Sequence, residues 1–134
     1  FFQYEVDGVS YTLTDLMDPS NVASWVLPTT PDTVLFAAFS PDQSNHLNLA
    51  AALSNVGTST NVGFYIPGSG YALSEIKIDG VLHTIQDGDI SITISLFAES
   101  PQEYFEGTIS GSFVDTYQNT RNISGSFRIK RDPF

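Results

Sequence analysis

Ile90-Ser91-Ile92-Thr93-Ile94-Ser95-Leu96 places a large aliphatic side chain at every second position, with a hydroxyl between each pair. Successive side chains of a β-strand point to opposite faces, so this stretch predicts a strand with one buried and one wet face. A one-residue slip would expose four large apolar side chains, at roughly 25 cal/mol per Å² of apolar surface. The register is therefore firmly specified. The same period recurs in Ile109-Ser110-Gly111-Ser112-Phe113, and letter for letter in Ile123-Ser124-Gly125-Ser126-Phe127. Turn formers at Asp115-Thr116-Tyr117-Gln118-Asn119-Thr120 separate the copies, which together predict a hairpin. Gly111 and Gly125 then fall on the inner face, where a bulge or a large neighbouring aromatic takes up the space.

Two further hairpins are marked by Asp-Gly, which tolerates positive φ at both positions of a type I′ turn. They are centred on Asp7-Gly8 and Asp79-Gly80 and predicted over 2–13 and 74–86. Thr33 to Phe39 and Leu47 to Leu53 read as strands flanking the turn sequence Ser40-Pro41-Asp42-Gln43-Ser44-Asn45. The second run could form a short helix on alanine and leucine content, but its Leu-Asn-Leu start and hairpin position favour a strand. Val62 to Ile66 predicts another short strand, closed by Pro67-Gly68-Ser69-Gly70. Leu13 to Pro31 carries three prolines and no clear period. It reads as a long irregular excursion with room for one helical turn near Asp18. The sum is a single all-β domain over 1–134, an antiparallel β-sandwich or flattened barrel of about eight to ten strands.

Composition narrows the function classes. Five Lys+Arg stand against fifteen Asp+Glu, a formal charge of -10, the opposite of what phosphate affinity needs, so no nucleic-acid partner is expected. No apolar run approaches the ~18 residues of a membrane helix, so no transmembrane segment is expected in this chain. The lack of cysteine removes disulfides, thiolate catalysis and zinc-thiolate sites. Four of the five bases, Arg121, Arg128, Lys130 and Arg131, crowd the C-terminal end. They read as a basic last strand paired against an acidic sheet, with a basic edge docking on an acidic partner as the alternative.

The order of these elements resembles the small exported lipoproteins of Bacteroidetes-type bacteria that carry a β-domain of unknown function. The residues concerned are the hairpin Val6-Asp7-Gly8-Val9-Ser10-Tyr11-Thr12, the Leu47-Asn48-Leu49 strand, and the closing pair Gly107 to Phe113 and Ile123 to Phe127. The resemblance implies a place, the cell envelope or exterior, with an outer-membrane or periplasmic location and a lipid anchor upstream. It supplies no catalytic residues. In that setting Asp32-Thr33-Val34 resembles an Asp-Thr-aliphatic acceptor, which makes Thr33 the candidate for O-glycosylation. Asn122-Ile123-Ser124 fits the N-glycosylation pattern formally but lies inside a predicted strand.

Catalytic signals are sparse. His46 and His83 sit in separate hairpins, and no Gly-x-Ser-x-Gly elbow is present. Glu103 and Glu106, three apart on a strand, point to opposite faces and read as solvated edge carboxylates rather than a glycosidase pair. Asp87-Gly88-Asp89 puts two carboxylates in one turn, making Asp87 and Asp89 the candidate ligands for calcium, with Asp79 or Glu75 across the hairpin. No other cofactor is expected. Trp25, in the excursion, and Tyr65 and Tyr71, beside the Pro-Gly-Ser-Gly turn, are the rings placed to stack on a sugar or contact a partner.

These observations predict a non-enzymatic module of an envelope assembly, with an envelope protein partner or self-association. Phe1 to Val6 is the candidate for a strand donated to a neighbour. A binding module for a glycan or small apolar molecule is the alternative, and a hydrolase ranks last.

Overall fold

The computed structural model describes residues 1–13, 22–27, 30–40, 42, 44–52, 56–57, 59–61, 75–85, 89–100 and 102–131. Among these are eleven strands and no helix: β1 Phe2–Val6, β2 Val9–Leu13, β3 Val22–Leu27, β4 Thr30–Phe39, β5 His46–Ala52, β6 Ser59–Asn61, β7 Glu75–Ile78, β8 Val81–Thr84, β9 Ile90–Leu96, β10 Tyr104–Val114 and β11 Thr120–Lys130. They form two antiparallel sheets, ordered β2-β1-β11-β10-β9-β6 and β3-β4-β5-β7-β8. The sheets are not closed on each other, so of the two predicted architectures the molecule is a sandwich and not a barrel.

The two Ile-Ser-Gly-Ser-Phe copies pair antiparallel in a complementary register. Ile109 lies opposite Gly125, and Ile123 opposite Gly111, so each bulky residue of one copy meets the glycine of the other. The hairpin leaves space for rings. Gly107 pairs with Phe127, and a Cβ on Gly107 would come 2.9 Å from the tip of the Phe127 ring. A Cβ on Gly125 would lie 2.5 Å from the Gln3 carbonyl oxygen and 2.9 Å from the Tyr4 Cβ. Next to Gly107 the β9 ladder shifts register at a bulge, away from Gly111 and Gly125, where the sequence pattern allows one.

That space seats a line of rings. Tyr11 stacks on Tyr4 (5.0 Å), Tyr4 meets Phe2 edge-on (6.3 Å), and Phe2 stacks on Phe127 (5.1 Å). Phe36 of β4 then crosses from the other sheet to Phe127 (5.0 Å) and Phe105 (5.5 Å), and Phe97 packs on Phe105 (5.0 Å). Such contacts add about 0.5–1.5 kcal/mol each beyond area burial. Ile90, Ile92, Ile94, Leu47, Leu49 and Ile76 complete the interior, each under 3% exposed.

Both Asp-Gly turns take the predicted conformation: φ is 48° and 85° at Asp7-Gly8, and 48° and 87° at Asp79-Gly80. Leu47 to Leu49 lie in a strand, not a helix. The excursion prediction fails in part. Val22-Ala23-Ser24-Trp25-Val26-Leu27 is β3, hydrogen-bonded to β4 with Trp25 opposite Leu35. This run is apolar at both parities, so the alternation test is blind to it; its β-branched and aromatic content was the available signal. The predicted Val62–Ile66 strand lies outside the described residues.

The N-terminal strand is also placed differently from the donor reading. β1 lies within its own sheet, between β2 and β11, with Phe2, Tyr4 and Val6 at most 1% exposed. Deleting residues 1–6 is therefore expected to abolish cooperative urea unfolding, not only assembly. Gly125→Ala is expected to lower stability by about 1–3 kcal/mol in the same measurement, because backbone must give way to its Cβ.

Candidate functional site

The outer face of the six-stranded sheet is built from the polar half of each alternating strand. Ladder registers line these residues up across β2, β1, β11, β10 and β9. One row runs Thr12, Gln3, Ser126, Thr108, Thr93. The next runs Ser10, Glu5, Ser124, Ser110, Ser91. Strands about 4.8 Å apart and rows two residues apart make this a lattice of hydroxyl and amide groups with one carboxylate. Over the close approach of β1 to β11 the lattice dips into a shallow groove of about 310 Å³, flanked by Gln3, Glu5, Ser10, Ser124 and Ser126 above the Gly125 backbone. A second depression of about 230 Å³ continues it past Glu5 and Ser124 to Asp7 and Asn122. Chemically the groove offers hydrogen-bond donors and acceptors together with some apolar surface, Tyr4 and Ile123 being among the residues that line it.

At one end of the sandwich, charges tie two turns together. Arg121 of β11 pairs with Asp7 of the β1–β2 turn and reaches Asp115 at 3.5 Å. The Asp115 carboxylate is 3% exposed and accepts the N–H groups of Tyr117 and Asn119, both at 2.9 Å. The Asn119 N–H is the main cause holding its pKa below 3.8, with Tyr117 and Arg121 adding to it. Asp7 is likewise held low, first by the Asn122 N–H and then by Arg121. On the other sheet, the Thr116 N–H donates to His83 Nδ1 at 3.0 Å, and the Thr116 hydroxyl donates to the Leu82 carbonyl at 2.9 Å. Sequence reasoning saw only turn formers here. The readable signal was an Asp directly after a strand, two and four residues ahead of N–H groups that it caps.

The other candidates are dispersed. His46 is 9% exposed and bonds Glu75 at 3.1 Å, and Asn48 bonds the same carboxylate oxygen at 3.0 Å. Glu103 accepts the N–H groups of Glu99 and Ser100, whereas Glu106 pairs with Arg128 at 2.8 Å. Arg128 also lies 3.6 Å over the Tyr104 ring, Lys130 lies 5.5 Å from it, and Arg131 donates to the Ala98 and Glu99 carbonyls. Arg121 and Arg128 thus pair with carboxylates of their own chain, as the paired reading of the charge predicts, whereas Lys130 and Arg131 meet a ring and backbone carbonyls. Asp89 is half-buried ahead of β9, and its carbonyl accepts the Ser112 N–H. Asp87, Tyr65 and Tyr71 lie outside the described residues. Among those described, no three His, Asp or Glu residues come together as a metal site. Thr33 lies on β4 opposite Ala52, and Trp25 on β3 instead of a loop. Asn122 is exposed on β11.

No protein family, characterised protein or solved structure matched this chain.

The carboxylate clamp has a defined acid response. Because the pKa values of Asp7 and Asp115 are lowered from 3.8, the stability they lend is complete above that value and is lost as pH falls through the lowered one. Asp115→Asn is expected to lower Tm at pH 7 and to flatten the acid side of the Tm–pH curve. An unchanged Tm at pH 7 would mean that the carboxylate does not hold the turn.

Proposed function

We propose that this chain is a non-enzymatic β-sandwich module of the cell envelope or exterior, an accessory part of an envelope assembly that works by surface recognition. One observation carries the reading: the ordered hydroxyl lattice and its groove on the outer face of the six-stranded sheet. Interior packing needs only the other face of these strands, and bare solubility needs charge more than hydroxyls. Supporting this, both histidines and the Glu103/Glu106 candidates are engaged in contacts that hold turns and strands, and the hydroxyl beside His83, that of Thr116, donates to the Leu82 carbonyl. Export and an upstream lipid anchor belong to this proposal on the strength of the sequence resemblance alone.

The groove favours one alternative, a glycan in place of a protein partner. A chain of sugar hydroxyls matches a row of Ser, Thr and Gln groups, and Glu5 can accept from two sugar hydroxyls at once. Ring stacking would have to come from residues elsewhere, Trp25, Tyr65 and Tyr71 being the sequence candidates.

Placing a photo-crosslinking residue at Ser110 or Ser124, with Thr84 on the other sheet as control, tests the surface directly. The expected result in envelope extracts is a discrete adduct from 110 and 124 and none from 84. Equal or absent adducts at all three would reject the face, and an adduct of carbohydrate mass would select the glycan reading.

A further inference from the structure

β8 ends the five-stranded sheet. A free sheet edge invites pairing with another strand unless something covers it. Among the described residues, the turn from Asp115 to Asn119, brought over from the other sheet, reaches this edge through Thr116. Thr116 makes both contacts, its hydroxyl on the Leu82 carbonyl and its N–H on His83. Under it, Leu82 still shows 48% of its surface.

The chemistry of the His83 contact is decided by its donor. A backbone N–H can only donate, so Nδ1 must be the acceptor and Nε2 carries the hydrogen. The Thr116 Oγ1 is also 3.0 Å from Nδ1, but its hydrogen is committed to Leu82. A proton added to Nδ1 would set two donors face to face. It could turn to Oγ1, but the Thr116 N–H would then lose its acceptor. The ring is 3% exposed and packs 6.0 Å from Phe113, which leaves it little room to rotate away.

We propose that His83 is a proton-released latch: neutral, it holds the 115–119 turn over the β8 edge, and protonated, it lets the turn go and opens that edge to strand pairing. The charged groups facing the ring from the described elements are Asp115, at the end of β10, and Arg121 of β11, itself paired to Asp7 of the β1–β2 turn. Asp115 favours the protonated ring and Arg121 opposes it, while burial, the largest influence, sets the net direction downward from 6.5. The sign follows: a depressed histidine pKa leaves the latch fully closed above 6.5, and its hold is lost as pH falls below that towards the lowered value. Asp7 and Asp115 have pKa values lowered from 3.8, so the stability they lend is lost only below that value, whereas the hold of His83 begins to weaken as pH falls below 6.5.

Imidazole ¹⁵N and amide-exchange NMR between pH 8 and 4.5 tests this on the full chain. At pH 7.5 the expected form is the Nε2–H tautomer. Its midpoint should fall below 6.5, and the Thr116 amide protection factor should drop at least tenfold across it while that of Ile109 holds. In His83→Asn, whose Oδ1 keeps an acceptor without titrating, Thr116 protection should stay level over the same range. An Nδ1–H tautomer, a midpoint at or above the ordinary value, unchanged Thr116 protection, or joint loss at Thr116 and Ile109 would each overturn the latch. Should His83→Asn not fold, the wild-type tautomer and the two protection factors decide alone.

Discussion

The structure turns on a steric complementarity between two copies of one pentapeptide. Pairing Ile109 with Gly125 and Ile123 with Gly111 lets two long strands lie close without their bulky residues colliding. Gly107 and Gly125 clear the floor beneath Phe127 and Tyr4, and those rings begin the line that Phe36 extends across to the second sheet. Had both copies carried side chains at these positions, hairpin and ring line would compete for one volume. Close packing leaves no slack for that, since protein interiors are as dense as organic crystals.

The opposite side of the same strands has a different logic. Alternation sends every second residue outward, so a sheet whose inner half is Ile, Phe and Gly shows Ser, Thr, Asn and Gln to solvent. Because the registers bring like residues into rows, the outward half is ordered as well. Electrostatics follows the same economy. The bases are gathered near the C-terminal end, and the ladder carries them to carboxylates far away in sequence, Arg121 to Asp7 and Arg128 to Glu106. Exposed pairs of this kind add little stability individually. The Asp115 clamp differs because its carboxylate is buried and bonded to two N–H groups, so it holds a turn in shape.

How far the chain could be read varied with the range of the interaction involved. The Asp-Gly hairpins are short-range: two residues with positive φ and flanking apolar runs suffice, and both were legible. The 109–127 hairpin was legible because its halves carry the same pattern around a turn. β3 was not, since its apolar residues occupy both parities and its partner β4 provides what its own period does not show. The His83–Thr116 contact was also invisible, because 33 residues separate its ends and neither residue type announces a partner. Nothing in a histidine's neighbours along the chain says which of its nitrogens will meet an N–H.

Side-chain period, turn chemistry and composition were enough for the class of fold, the registers of the sharpest strands, and the polar character of one whole face. They act within a few residues, and a linear pattern records them in full. The order β2-β1-β11-β10-β9-β6, the interior position of the first strand, and the turn laid over β8 had to come from three-dimensional packing. Each depends on which apolar faces fit together once loop-closure entropy has been overcome, and that entropy grows so slowly with loop length that sequence distance hardly discriminates among partners. The choice falls to shape: which ring fits over which glycine.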